Sequence, residues 1–374
     1  MTDNAANVAA GHADGELKLL AQTCAALFGV GEAERTRPWD EKLWRALEQA
    51  GLPLISVPTA GGGSGGSLEQ AAVVLYSAGE HAVSVPLAET ALLGGWLLAE
   101  AGLPILAGPL VAVRAPGRAD AFRVARVASG WSVRGRLPWV GWGRVAQRVV
   151  VLAVEARSGA DWRAGPREVA IALGPGDLTI EPGSNVAGEP RDDLVVDTVV
   201  DSAAVARVAE GTGEVLRRRA ALARVLLIAG AMRRALDLTI RYARERQQFG
   251  RSLGDLQAIQ QQIAELAAET AATRAAADAA LHRCAGDGFA DVRTWFAVAS
   301  AKVQADRGGT IAARIAHQVH GAIGFTDEHP LRLVTTRLWA WRDEAGSAAD
   351  WAAELGRHVV ADCDRFWNTL TEDG

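Results

Sequence analysis

The sequence predicts an α+β protein in which helical segments flank a β-rich middle. Apolar residues recur with a helical period in the first hundred residues and again from residue 203 onward, whereas short β-forming runs occupy the stretch between them. A chain of 374 residues also exceeds what one ordinary core requires. We therefore expect an N-terminal helical domain at 1–105, a middle antiparallel β domain at 106–202 and a C-terminal four-helix bundle at 203–374.

The N-terminal region predicts helices separated by glycine-rich turns. Apolar residues three and four apart indicate a helix over 39–50 with Gly51 as its C-terminal stop, and two further helices are indicated over 67–79 and 91–101. Residues 61–66 satisfy a G-x-G-x-x-G pattern. A dinucleotide-binding unit requires a second strand that ends in an acidic residue, and none follows, so we interpret these glycines as a loop.

The middle region consists of short runs of β-forming residues, separated by clusters of Gly, Pro, Asp and Ser. These runs cover 110–113, 122–127, 131–136, 145–154, 169–172 and 194–200. Such spacing is typical of an antiparallel sandwich or an open barrel.

The C-terminal region carries two apolar stripes with a helical period. The first comprises Val225, Ile228, Met232, Leu236 and Ile240, and the second Leu256, Ile259, Ile263 and Leu266. Glycines at 250, 286–288 and 321–324 predict short turns between long antiparallel helices. A four-helix bundle has this arrangement.

Composition argues against several classes of function. The net charge of -5 disfavours a nucleic-acid partner, and we expect neither a membrane span nor a signal peptide, so a cytoplasmic protein is the default. The three cysteines lack disulfide or metal spacing. We expect no metal site and interpret His317 and His320 as structural. Lysine occurs only at Lys18, Lys42 and Lys302, and all other basic residues are arginine.

Two motifs stand out in the C-terminal region. The first contains Tyr242, Arg246, Phe249, Gly250, Leu253 and Gln257, and the second is the run QVHGAIGFTDEHPL over 318–331. In order and approximate spacing they resemble the signature of the acyl-CoA dehydrogenase flavoproteins. The resemblance extends over nearly the whole chain and implies the same order of helical, β and helical domains.

The resemblance also implies an FAD site shared between subunits. A planar guanidinium beside helix-end N–H groups suits the pyrophosphate of such a cofactor. In relatives, residues matching Arg246, Gln248 and Phe249 contact the ADP half of a flavin held by a neighbouring subunit. Residues matching Gln257, Gln318, Gly321 and Ala322 close around the same cofactor. Ala322 departs from the Gly-Gly pair that relatives usually carry.

The end of the site near the flavin ring matches the family less well. Relatives carry a hydroxyl-rich segment in the β domain, where this chain has residues 113–120 with only Pro116 and Asp120 retained. Trp139 aligns with a tryptophan that stacks near the flavin. Gly141 replaces a hydroxyl-bearing residue in the same segment.

The family's reaction requires a carboxylate that removes the proton alpha to the thioester. Alignment without a gap places Ala345 at that position and Gly346 after it, and Glu344 is adjacent. The alternative position on the first bundle helix, over 217–222, contains no carboxylate. Three interpretations remain open: Glu344 is the base in a shifted backbone, the chain is a non-catalytic or half-catalytic subunit of a heteromeric dehydrogenase, or the fold performs oxidase or monooxygenase chemistry.

The resemblance thus implies oxidation of an acyl-CoA, such as a fatty-acyl or steroid side-chain thioester, to its 2-enoyl form. The expected cofactor is FAD, and the expected partners are the acyl-CoA substrate and an electron-transfer acceptor. We expect either a homotetramer or a heterotetramer with a homologous dehydrogenase subunit.

Overall fold

The computed structural model describes residues 2–29, 38–117, 121–156, 167–248 and 250–361. In chain order the helices are α1 (Thr2–Gly29), α2 (Glu41–Gln49), α3 (Leu68–Glu80), α4 (Gly95–Glu100), α5 (Thr212–Glu245), α6 (Gln257–Gly286), α7 (Val292–His320), α8 (Leu331–Arg342) and α9 (Ala348–Ala361). The strands are β1 (Leu110–Arg114), β2 (Phe122–Val127), β3 (Gly130–Gly141), β4 (Arg148–Val154), β5 (Glu168–Leu173), β6 (Leu178–Glu181), β7 (Arg191–Val200), β8 (Val205–Arg207), β9 (Gln247–Gln248) and β10 (Arg251–Ser252).

These elements form two compact units. The described residues of Met1–Thr36, Leu68–Val83 and Ala221–Gly374 form the helical unit, and those of Arg37–Ser67 and Ser84–Ala220 form the β unit. The predicted α+β class, with helices before and after a β region, is confirmed. The predicted domain bounds at residues 105 and 202 stay a prediction, because the compact units group segments by packing rather than by chain order.

The β unit contains two four-stranded sheets with the strand orders β1-β4-β5-β8 and β2-β3-β7-β6. Pairing is antiparallel except between β1 and β4, which run parallel. Residues alternate between the two faces of a strand, so each sheet turns one row of valines, leucines and isoleucines inward. The inner rows of both sheets share one core, with Val124 and Val133 from one sheet and Val151 and Ile171 from the other.

Two strands of the β unit were not predicted. β6 and β8 contain only four and three residues, too few for an alternating pattern to be recognised. β8 pairs with β5 at the edge of the first sheet. The expectation that helical structure resumes at Ala203 is therefore wrong, and α5 begins at Thr212 instead. Backbone pairing outweighs local helix propensity in that segment.

Small residues let α3 and α5 approach closely within the helical unit. A Cβ on Gly230 would lie 2.0 Å from the carbonyl oxygen of Tyr76, and one on Gly79 would lie 2.1 Å from that of Leu227. The predicted stripe on α5 is buried at Val225, Ile228 and Met232. Its last two members are only partly buried.

Helices α6 and α7 run antiparallel, since side chains link position 265 to 314 and position 269 to 304. The start of α6 and the end of α7 therefore lie at one end of the helical unit. Within the described part of the chain, no helix is long and apolar enough to cross a membrane.

Candidate functional site

The first motif forms the junction between α5 and α6. Arg246 follows the last turn of α5, and its N–H donates to the carbonyl of Tyr242 at 2.8 Å. The following residues form the hairpin of β9 and β10, which turns at Gly250 with a φ of +78°. The N–H of Leu253 returns to the Arg246 carbonyl at 2.9 Å, so the hairpin is fixed against the helix end.

The second motif forms the end of α7 and the turn that follows it. The His320 ring stacks on Tyr242 of α5 with centroids 4.5 Å apart, which brings the two helix ends together. Gly321 ends α7 with a φ of +65°, a backbone conformation that glycine adopts without strain. A short 3-10 turn then runs over Gly321–Phe325. Both motifs thus meet at the same end of the helical unit.

Six of the residues expected to contact the cofactor form an exposed surface at this end, here called the motif face. Its members are Arg246, Gln248, Gln257, Gln318, Gly321 and Ala322. Phe249 lies outside the described residues. A Cβ on Gly321 would meet no atom within 4 Å, so the turn has open space beside it. Gln257 starts α6, and the N–H groups of a first helical turn attract anions.

The motif face suits the ADP half of FAD. Exposed guanidinium and amide groups, a glycine with open space and a helix N-terminus together supply the donors that a pyrophosphate requires. Arg246 would pair with a phosphate, and Gln248 and Gln318 would donate from their side-chain amides.

A group of stacked rings supports the turn of the second motif. His317 accepts from or donates to the Thr335 hydroxyl through Nε2 at 2.9 Å, and its ring stacks on Phe325 at 3.9 Å. Burial lowers the pKa of His317 and lowers that of His320 to about 4. Both side chains are more than nine-tenths buried, as expected of structural histidines. Across the described ranges, no group of three or more His, Cys, Asp or Glu residues is arranged to hold a metal ion.

Glu344 lies in the turn between α8 and α9. Its Oε2 forms an ion pair with Nε of Arg224 on α5 at 2.6 Å, and both side chains are largely buried. The next two residues adopt the left-handed backbone region, with φ of +60° at Ala345 and +91° at Gly346. For a residue other than glycine this conformation carries strain, which collects at functional sites and at turns held by their surroundings.

Trp139, the predicted ring-stacking residue, lies in the β unit at an irregularity of β3. The pairing of β3 with β7 shifts between Leu137 and Val140, and Trp139 adopts a φ of +56°. Its backbone N–H donates to Asp193 Oδ1 at 2.8 Å, a contact that, with Arg136, lowers the pKa of Asp193. Trp139 is 69% exposed, so its indole is available for stacking. Asp120 belongs to the segment 113–120, which lacks the hydroxyl residues of the family, and it lies outside the described residues.

Charged residues lie beside Gly141 that the sequence motifs did not indicate. A Cβ on Gly141 would lie 3.5 Å from Nη1 of Arg191 and 3.5 Å from Oε1 of Glu89. Both residues are more than nine-tenths buried. Where relatives have a hydroxyl, this chain therefore has neighbouring buried charges. The sequence feature that could have indicated these charges is Glu89, a glutamate within the otherwise apolar run 86–98.

The comparison with known proteins agrees with the motifs. The sequence model of the family described as the acyl-CoA dehydrogenase C-terminal domain matches residues 220–343. Acyl-CoA dehydrogenase IpdE2 of Mycobacterium tuberculosis is 30% identical over 309 residues, which cover 80% of this chain and 81% of that protein. Acyl-CoA dehydrogenase FadE27 of the same organism is 30% identical over 351 residues, covering 86% and 89%.

Among solved structures, a chain of the ChsE4-ChsE5 complex from Mycobacterium tuberculosis is similar in fold. The TM-score is 0.76 at 22% identity, and the match covers 92% of this chain and 97% of that one. Sequence identity thus extends over most of the length of two named relatives, and the architecture agrees with it. The chain belongs to the acyl-CoA dehydrogenase family.

Proposed function

We propose that the chain is a subunit of an FAD-dependent acyl-CoA dehydrogenase, and that its motif face completes a flavin site shared with a neighbouring subunit. The reaction is the oxidation of an acyl-CoA thioester to the 2-enoyl-CoA. The observation that carries the proposal is the collection of Arg246, Gln248, Gln257, Gln318, Gly321 and Ala322 on one exposed end of the helical unit. An electron-transfer acceptor then reoxidises the enzyme.

Exposed apolar side chains next to the motif face support a neighbouring subunit. Ile323 is 38% exposed and Phe325 is 59% exposed, both in the turn that follows Gly321. Large apolar groups clustered on a surface commonly mark protein interfaces. The ChsE4-ChsE5 complex is an assembly of two differently named proteins, which supports a heteromeric assembly here. We propose a heterotetramer, with a homotetramer as the alternative.

The motif face would hold the ADP half of FAD through the Arg246 guanidinium, the side-chain amides of Gln248 and Gln318, and the first turn of α6. In the β unit, Trp139 is proposed separately to stack on a flavin ring. When bound, FAD supplies the acceptor for the hydride that leaves the beta carbon of the substrate. The residues of this chain bind and orient the cofactor.

We propose Glu344 as the carboxylate of this chain that takes the alpha proton. The ion pair with Arg224 fixes the direction of the carboxylate, and its partial burial limits access of water. The same ion pair also supports the alternative in which Glu344 is structural and a partner subunit supplies the base. Replacement of Glu344 by Gln distinguishes the catalytic role from the structural one. Loss of flavin bleaching by substrate, with flavin still bound, supports Glu344 as the base. Undiminished bleaching removes Glu344 from the reaction.

The function is tested by expressing the chain alone and together with a candidate homologous subunit. Visible absorbance reports bound flavin, and light scattering reports the mass. A yellow homotetramer that is bleached by acyl-CoA supports a self-sufficient enzyme. A chain that becomes yellow only with a partner supports the composite site. Colourless protein in every combination contradicts the proposal, and peroxide formation without an added acceptor identifies an oxidase instead.

A further inference from the structure

A buried ammonium group lies between α7 and the end of α8. Lys302 is fully buried, and its Nζ donates to both carboxylate oxygens of Asp306 and to the carbonyl oxygen of Arg342, each at 2.7 Å. An ammonium has three N–H donors, so these contacts use all of them. Lys302 thus links a carboxylate on its own helix to the backbone of another helix.

Stability alone does not account for this ion pair. Burial lowers the pKa of Lys302 and raises that of Asp306 to about 7, although the mutual attraction of the two groups opposes both shifts. Replacing a buried ion pair by apolar residues is often neutral or stabilising. Arginine occupies all but three of the basic positions in this chain, yet lysine stands here. A compact ammonium can donate to one carbonyl and one carboxylate at the same time. The planar guanidinium of arginine has a fork geometry that does not fit this pair of acceptors.

The carbonyl that Lys302 holds belongs to the last residue of α8. The last carbonyls of a helix have no partner within the helix, and a cation beside them is favourable. Two residues later comes Glu344, whose N–H donates to the Trp341 carbonyl at 3.2 Å. Lys302 therefore fixes the backbone from which the Glu344 side chain projects.

The rest of the turn is fixed from its other side. The Ala345 carbonyl accepts from Nε1 of Trp351 at 3.0 Å, and a Cβ on Gly346 would lie 2.9 Å from the same atom. Arg224 holds the Glu344 carboxylate. The strained backbone at Ala345 thus lies between anchored groups, and removing one anchor frees the turn to relax.

We propose that Lys302 is a positioning residue: anchored by Asp306, its ammonium holds the Arg342 carbonyl and thereby fixes the turn that presents the Glu344 carboxylate to the substrate. This inference rests on the proposed role of Glu344 as proton acceptor. Lys302 acts through Glu344 and touches neither substrate nor flavin.

The test uses the flavin-loaded assembly and the variant Lys302→Met combined with Asp306→Leu. The double change leaves no unpaired charge in the core, so the fold is expected to survive. Ile315→Ala, at a buried position on α7 away from Lys302, is the matched control, because it lowers stability and leaves the contact with the Arg342 carbonyl in place. The probe is whichever of butyryl-CoA, octanoyl-CoA, palmitoyl-CoA and a CoA thioester of a steroid side chain bleaches the wild-type flavin fastest.

In the double variant we expect bleaching to slow by about 10–100-fold, the effect that misplacing a reacting group by about 1 Å produces. Flavin content and the acyl-CoA concentration for half-maximal rate stay unchanged. Amide hydrogen exchange over 343–347 accelerates.

Bleaching within twofold of wild type together with unchanged exchange over 343–347 overturns the positioning role, even if Glu344→Gln proves inactive. Undiminished bleaching in Glu344→Gln overturns the base assignment itself and the inference with it. Failure of all four acyl-CoA probes to bleach the wild-type assembly contradicts the proposed function. Each failure is thus identified by a different variant.

Discussion

At the scale of single residues, the charged groups of the helical unit fall into two classes. Those of the motif face, such as Arg246, are exposed and remain available to a ligand. Those around Glu344, such as Arg224 and Lys302, are buried and engaged with protein atoms. Loss of an exposed cation is expected to change binding alone, whereas loss of a buried one alters structure as well.

Replacing Arg246 by Ala is expected to weaken FAD retention in the assembled enzyme by about tenfold or more, because a charge-assisted hydrogen bond to a phosphate is lost. The helices should remain folded, since the side chain is exposed. The measurement is the ratio of flavin to protein absorbance after gel filtration. Arg244→Ala, an exposed arginine on the last turn of α5, is the matched control. Equal flavin content in all three proteins would remove Arg246 from the site.

The buried His320 predicts a loss of stability in acid. Burial lowers its pKa to about 4, whereas the ordinary value is 6.5, and the His329 ring lies 4.7 Å away. Between pH 4 and pH 6.5, His320 is protonated in the unfolded chain and neutral in the folded chain. The free energy of unfolding therefore falls by up to about 3 kcal/mol as the pH drops from 7 toward 4, and it is fully recovered above pH 6.5.

This loss can be measured as the fall in Tm between pH 7 and pH 4.5. His320→Phe keeps a flat ring against Tyr242 and is expected to show a smaller fall than wild type. His282→Gln, at an exposed position on α6, serves as control and should behave as wild type. An equal fall in all three proteins would contradict the assignment of the effect to His320.

At the scale of elements, glycine decides how closely two helices pack. Gly230 on α5 faces the Tyr76 carbonyl of α3, and a methyl group there would lie 2.0 Å from that oxygen. Backbone atoms move less readily than a flexible side chain does. The contact of α3 with α5 therefore depends on Gly230, together with Gly79 of α3.

Gly230→Ala is expected to destabilise the helical unit by at least about 1–3 kcal/mol, the usual range for overpacking. Differential scanning calorimetry would register this as a lower Tm. Gly286→Ala is the matched control, because a Cβ there meets no atom within 4 Å and alanine favours the helix. A Gly230→Ala protein as stable as wild type would show that the two helices can separate freely.

At the scale of the whole molecule, the motif face and its exposed apolar neighbours indicate assembly. Phe325→Asp is expected to shift the chain, or its complex with a partner subunit, toward smaller species, because it places a charge where an apolar contact is proposed. Analytical ultracentrifugation at micromolar concentration measures the change. Val292→Asp, at an exposed position at the opposite end of α7, is the control. An unchanged mass for the Phe325 variant would exclude this surface from the interface.

Motifs and periodicity were sufficient to predict the family, the α+β class and most of the longer elements. They carried this information because a helix start, a glycine turn and a row of apolar residues are local patterns. The edge strand β8 escaped prediction, since three residues pair only because β5 lies beside them. Glu344 was identified as the nearest carboxylate by alignment, but nothing in the sequence indicated Arg224 as its partner.

The sequence by itself determined which residues form the two motifs, and hence the family, because these patterns are read along the chain. Only the tertiary structure decided that both motifs meet at one end of the helical unit, that Glu344 is held by Arg224, and that Lys302 caps α8. These contacts join positions far apart in sequence. These contacts form only when the helices pack against one another. Side-chain volume and the desolvation of charged groups together determine that packing.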